Sequence, residues 1–175
     1  ITPFDHSTLD CVASGVASAY LFGLPPERMA DALNLAITPN LALHQPRIAV
    51  LSHWKACAAA NACRNAVFST MLAARGLTGP RLAFEGTEGY FHTVCKGESE
   101  LAPFGAPGRP FKIMECSIKR FPLGQYAQTV VQAALEVRAQ LPDVRDIAEV
   151  RIRTLQKAIT IMAGDPQKWR PTTRE

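Results

Sequence analysis

The stretch 52-SHWKACAAANACRNAVFSTMLAARG-76 contains no proline, and Arg64 is the sole charged residue between Lys55 and Arg75. Ser52 is a good N-cap and Gly76 a good stop, so the pattern predicts one long helix over residues 52–75. Small side chains at positions 56, 58, 59, 60 and 62 let another helix approach closely, which reads as packing. The start of the helix differs in character, because His53, Trp54 and Lys55 precede the alanines. An isolated lysine in alanine-rich sequence is either aimed at a ligand or snorkelling to solvent from a buried helix, and spacing leaves both readings open.

Upstream, Leu9, Val12, Ala13, Val16, Ala17, Tyr20 and Leu21 follow helical spacing from Ser7, with Gly23 as the stop. A second helix restarts at Pro26, with Met29, Ala32, Leu33, Ala36 and Ile37 expected inward. The short turn between them predicts an antiparallel helical hairpin. Residues 39–51, broken by Pro39 and Pro46, read as an ordered connection that carries His44, Gln45 and Arg47 to the long helix.

Downstream, the stretch from Gly76 to Pro110 is dense in Gly and Pro and marks a change of domain. Imperfect alternation over 111-FKIMECSIKRFP-122 predicts a strand ended by Pro122, and 147-IAEVRIRTL-155 a second strand. A helix over residues 124–140 lies between them, and a short one follows in 157-KAITIMAG-164. The expected class is therefore α+β: the end of an all-helical domain over residues 1–80, followed by a small α+β domain over residues 81–175.

At 175 residues the chain can bury one sizeable core, and its 47% hydrophobic and 19% charged composition argues against disorder. The net charge of +4 is scattered, without the basic run that tracks a phosphate backbone, so nucleic acid is not an expected partner. Neither a stretch of about 20 uninterrupted apolar residues nor a signal-peptide pattern is present, so no membrane association and a cytoplasmic location are expected. Cys11, Cys57, Cys63, Cys95 and Cys116 lack metal-ligand spacing and read as reduced thiols, with no metal site.

Two constellations could carry chemistry. His44, Arg47, His53 and Lys55 fall near the start of the long helix, where unpaired backbone N–H groups and the macrodipole favour an anion such as a carboxylate. Lys119, Arg120 and Gln125 lie where the first expected strand passes into a helix, a common place for ligands, although a solvated Lys-Arg pair reads equally well. Asp5 and His6 lack partners at ligand spacing and read as a capping and surface pair. No P-loop, GxGxxG or GxSxG motif is present.

The segments 41-LALHQPRIAVLSHWKACAAANACRNAVFSTMLAARGLTGP-80, 84-FEGTEGYF-91 and 117-SIKRFPLGQYAQTVVQAAL-135 resemble the MmgE/PrpD family in the right order. The family includes 2-methylcitrate dehydratases, cis-aconitate decarboxylases and iminodisuccinate epimerases. The resemblance implies a piece of a longer protein, holding the last helices of a helical domain and most of an α+β lid. It implies that the chain lacks early segments in which the family carries a pocket Asp and His.

By the same resemblance, Lys55 and Lys119 match the pocket lysines and are the implied catalytic pair. His53, Arg47, Arg120 and Gln125 are the implied substrate-binding residues. Decarboxylase-like members carry a histidine after the Phe-Pro pair where this chain has Leu123, Gly124 and Gln125, which disfavours that activity. The implied function is a cofactor-free lyase that eliminates water from a di- or tricarboxylate, in a homodimer. The alternatives are an epimerase, racemase or decarboxylase of the same family, acting on iminodisuccinate or cis-aconitate, and a non-catalytic anion-binding module.

Overall fold

Helix α1 (Ser7–Leu21) and helix α2 (Pro26–Ile37) form the expected hairpin, and helix α3 (Trp54–Ala74) packs against both. The computed structural model describes residues 4–48, 51–97 and 107–170. The expected connection at 49–50, the Gly/Pro-rich stretch 98–106 and the tail 171–175 lie outside the described residues. The chain divides into two units, Ile1–Leu101 and Ala102–Arg174.

The ends of α1 and α3 follow from two glycines. Gly23 and Gly76 have φ of +66° and +94°, which an L side chain adopts only with strain. Each end is closed by a pair of reversed hydrogen bonds: Gly23 N to Tyr20 O with Leu24 N to Ala19 O, and Gly76 N to Ala73 O with Leu77 N to Leu72 O. This arrangement satisfies carbonyls that the last helical turn would otherwise leave unpaired. At its start α3 takes His53 in the cap position, one residue later than the Ser52 expected from sequence.

The core of the first unit is made of small residues. Cys11 on α1, Ala36 on α2, and Ala62 and Ala66 on α3 form one buried cluster, and Ala19, Ala32 and Ala73 form another. The buried positions of α3 (Ala58, Ala62, Ala66, Ser69, Thr70 and Ala73) repeat every three or four residues along one face. A Cβ placed on Gly15 would already touch Leu33 at 3.4 Å, so α1 and α2 lie in near-contact there. Thr8, Cys11, Gly15 and Ala19 turn inward, while Leu9, Val16, Tyr20 and Leu21 are exposed.

The α+β expectation is also corrected: the described residues are helical, with short 3-10 and π turns and no strand, and the sole β-bridge pairs Phe4 with Leu43. Residues 112–115 form a 3-10 turn, and residues 147–155 run without regular structure. Alternation describes one strand, whereas a sheet requires a second chain segment to receive its N–H and C=O groups. Ile118 is 99% exposed and Val150 70%, so the alternating apolar residues face no partner. The helix expected over 124–140 is present as a 3-10 turn (Gln125–Ala127) leading into α4 (Gln128–Arg138). Helix α5 (Gln156–Ala158) continues as a π turn over Ile159–Ala163.

Candidate functional site

Asp5 organises the first unit's polar cluster. It lies just ahead of α1, its amide donates to Ala42 O at 2.7 Å, and its carboxylate accepts the Ser7 amide at 2.9 Å. The neighbouring Phe4–Leu43 bridge and the bond from Ala42 N to Thr8 Oγ1 at 3.0 Å fasten α1 to the connection after α2. That connection then turns through a 3-10 element, Gln45–Arg47, and delivers Arg47 onto Asp5.

The contact is two-pronged. Arg47 Nε donates to Asp5 Oδ2 at 2.7 Å and Nη2 to Oδ1 at 3.2 Å, the fork-on-carboxylate geometry that makes arginine suited to this task. His6 Nδ1 and His44 Nδ1 approach the same carboxylate at 3.4 and 3.7 Å. Burial alone would raise the Asp5 carboxyl, but Arg47, the Ser7 amide and His6 outweigh it and hold the group well below the usual carboxylate range. Arg47 is correspondingly raised, chiefly by its hydrogen bonds to Asp5.

Arg47 also reaches the long helix. Its Nη1 donates to the carbonyl of Lys55 at 3.4 Å, and its Nη2 lies 3.5 Å from His6 Nε2. The start of α1, the 42–47 connection and the first turn of α3 therefore meet around one ion pair. Lys55 and His53 are exposed at that first turn, which has no acidic residue. A lysine there opposes the positive end of the helix macrodipole, an arrangement that favours an incoming anion over helix stability.

An open cavity of about 540 Å³ adjoins this region. Ser7, Asn40, Gln45, Ser52, Trp54, Asn61 and Asn65 are among its lining residues, while Lys55 and Arg47 are not. Two of its amides are linked, with Asn65 Nδ2 donating to Asn40 Oδ1 at 2.7 Å and Asn40 Nδ2 to Ala36 O at 2.7 Å.

In the second unit Lys119 is exposed in the irregular segment ahead of α4. Arg120 lies with its guanidinium 5.6 Å from the Phe121 ring centre and donates to Gln132 Oε1 at 2.8 Å. Gln125 is exposed and opens the 3-10 turn. Gln128 holds this loop: its Oε1 accepts Phe121 N at 3.0 Å, and its Nε2 donates to Phe121 O at 2.9 Å and Leu123 O at 3.2 Å.

Of the sequence-derived residues, Arg47, His53, Lys55 and His44 thus gather in the first unit, and Lys119, Arg120 and Gln125 in the second. Sequence reasoning passed over three contributors. Asp5 and His6 read from sequence as a capping and surface pair; Asp5 does accept the Ser7 amide at the start of α1, but it is also the buried centre of the cluster at 3% exposure. Gln128 carried no signal, because a glutamine in a helix's first turn is unremarkable until the loop it clamps is seen. Asp5 carried little more, because its arginine partner lies 42 residues on, beyond α1 and α2. Among the described residues no group of three or more His, Cys, Asp or Glu is arranged to hold a metal ion. No described helix is long and apolar enough to cross a membrane.

Comparison with known proteins agrees with the division of the chain. The MmgE/PrpD N-terminal domain matches residues 2–101, ending where the first unit ends. The 2-methylcitrate dehydratase of Escherichia coli (strain K12) is 30% identical over 169 residues, covering 90% of this chain and 34% of that protein. The 2-methylcitrate dehydratases of Cupriavidus necator and Salmonella typhimurium are 29% and 28% identical over the same shares. The chain therefore spans about a third of the length of the curated relatives it matches. With the family's N-terminal domain covering the whole helical unit, this chain belongs to the MmgE/PrpD family.

Proposed function

We propose that the protein carrying this chain is a hydro-lyase of the 2-methylcitrate dehydratase kind, eliminating water from a di- or tricarboxylate without a cofactor. The observation that carries this reading is Lys55, exposed at an acid-free helix start beside the Asp5–Arg47 cluster, in a chain whose relatives bear that name. Removing a proton next to a carboxylate builds negative charge on that carboxylate. A fixed cation accelerates the step only to the extent that it binds the charge better in the transition state than in the ground state. Lys55 is such a cation, set where backbone N–H groups add to its field.

His6 beside Arg47 adds an imidazole to the region. Lys119 is the second proposed catalytic lysine, and His53, Arg120 and Gln125 are proposed substrate contacts, all on the strength of the family match. A homodimer is proposed on the same ground.

Proton NMR of the intact protein with 2-methylcitrate, citrate, cis-aconitate and iminodisuccinate tests the reaction type. Elimination across the methyl-bearing carbon of 2-methylcitrate turns its methyl doublet into an allylic methyl singlet, and elimination from citrate gives a vinyl proton. Uptake of solvent deuterium with no alkene would replace this reading with epimerisation. A Lys119→Ala variant that turns over each substrate at the wild-type rate would remove that lysine from the mechanism.

A further inference from the structure

We infer that Asp5 and Arg47 are positioning residues: a buried ion pair that locks the first turn of α3, and with it Lys55, to the start of α1 and to the connection carrying His44. The functional half of this inference rests on the hydro-lyase reading above.

The planar guanidinium makes the case. Its Nε and Nη2 engage both oxygens of Asp5, Nη1 engages the Lys55 carbonyl, and Nη2 also faces His6. Contacts to both oxygens of a buried carboxylate and to a helix carbonyl, made by one rigid fork, define the orientation of the elements that bear them. Asp5 is itself fastened at its amide by Ala42 and at its carboxylate by the Ser7 amide, so the clamp is referenced to α1. The side chains of Asp5 and Arg47 are 1% and 20% exposed.

A substrate carboxylate that used Arg47 as its main ligand would have to displace Asp5 and leave a buried carboxylate without its principal partner. The cost of stranding such a charge favours a guanidinium that stays on Asp5 through the cycle. Arg47 then acts through placement of Lys55, and displacement of a reacting group by about 1 Å costs on the order of 100-fold in rate.

Arg47→Lys keeps the charge and loses the fork, so it separates positioning from substrate binding. In this variant kcat for 2-methylcitrate elimination should fall about 10- to 100-fold with KM within about twofold. Asp5→Asn should fall likewise, and the double variant Asp5→Asn/Arg47→Lys no further than the worse single change, because the pair works as one unit. A KM raised tenfold or more at unchanged kcat would make Arg47 a substrate ligand and overturn the inference.

Circular dichroism verifies that each variant keeps its helices. If Asp5→Asn unfolds, Arg47→Lys decides alone. A wild-type protein inactive on 2-methylcitrate defeats the hydro-lyase reading separately. The clamp is then read from acetylation of Lys55 relative to Lys157, followed by mass spectrometry. A severalfold change in that ratio on Arg47→Lys supports the clamp, and an unchanged ratio overturns it.

Discussion

Where α1, α2 and α3 meet, Ala19, Ala32, Ala36, Ala66 and Ala73 are fully excluded from solvent; beyond residue 106, Ala158 is the one described residue that is buried. Both regions are rich in apolar residues, but the first arranges its small ones at helical spacing on faces that touch. In the second, Phe111, Ile113, Met114 and Leu155 are each at least two-thirds exposed. Apolar content thus leaves the question of a core open, and the spacing of residues small enough for backbones to approach answers it. The polar groups differ in the same way. Asp5 and Arg47 join segments some 40 residues apart, whereas Asp143 with Arg145 and Glu149 with Arg151 pair two residues apart at the surface.

The largest effect expected from this contrast is at Asp5. Asp5→Asn strands Arg47 and should destabilise the first unit by about 3–5 kcal/mol in urea unfolding. A smaller loss would show that the pair is not the fastening described. Acid sharpens the same point. The folded carboxyl lies below its unfolded value, so the unfolded chain binds the proton more readily and stability rises with pH. The contribution is complete above the ordinary carboxylate range and is lost as pH falls through the lowered native value. Wild-type stability should therefore drop more steeply below about pH 4 than that of Asp5→Asn, measured as unfolding midpoints over a pH series.

Ala66→Leu probes the close approach of α3 to its neighbours. Its side chain is fully buried between helices, and overpacking there should cost about 1–3 kcal/mol in the same assay. Ile113→Thr in the second unit replaces a side chain that is 76% exposed, and the expected change is within about 0.5 kcal/mol. A large loss at Ile113 together with none at Ala66 would reverse the comparison.

These regions were unequally legible in the sequence. The helices at Ser7, Pro26 and Ser52 were readable within two residues because proline starts and glycine stops have a local steric cause. Which face of α1 turns inward was not readable. Leu9, Val16 and Tyr20 keep helical spacing yet are exposed, while contact with α2 and α3 buries Cys11, Gly15 and Ala19. The strands were misread because 111–122 and 147–155 alternate without a partner segment, and pairing is a property of two segments. The polar cluster at the start of α3 was half visible. Lys55 stood out against its alanines, but Asp5 became meaningful only when the fold laid Arg47 on it, a contact that sequence proximity does not show.

The most direct measurement is the initial rate of alkene formation from 2-methylcitrate by the intact protein and by its Lys55→Ala variant, followed by proton NMR. Loss of a fixed cation from the developing charge predicts a fall of about 10²- to 10³-fold with the helices preserved. A variant that forms the alkene at the wild-type rate would contradict the placement of the chemistry at the start of α3.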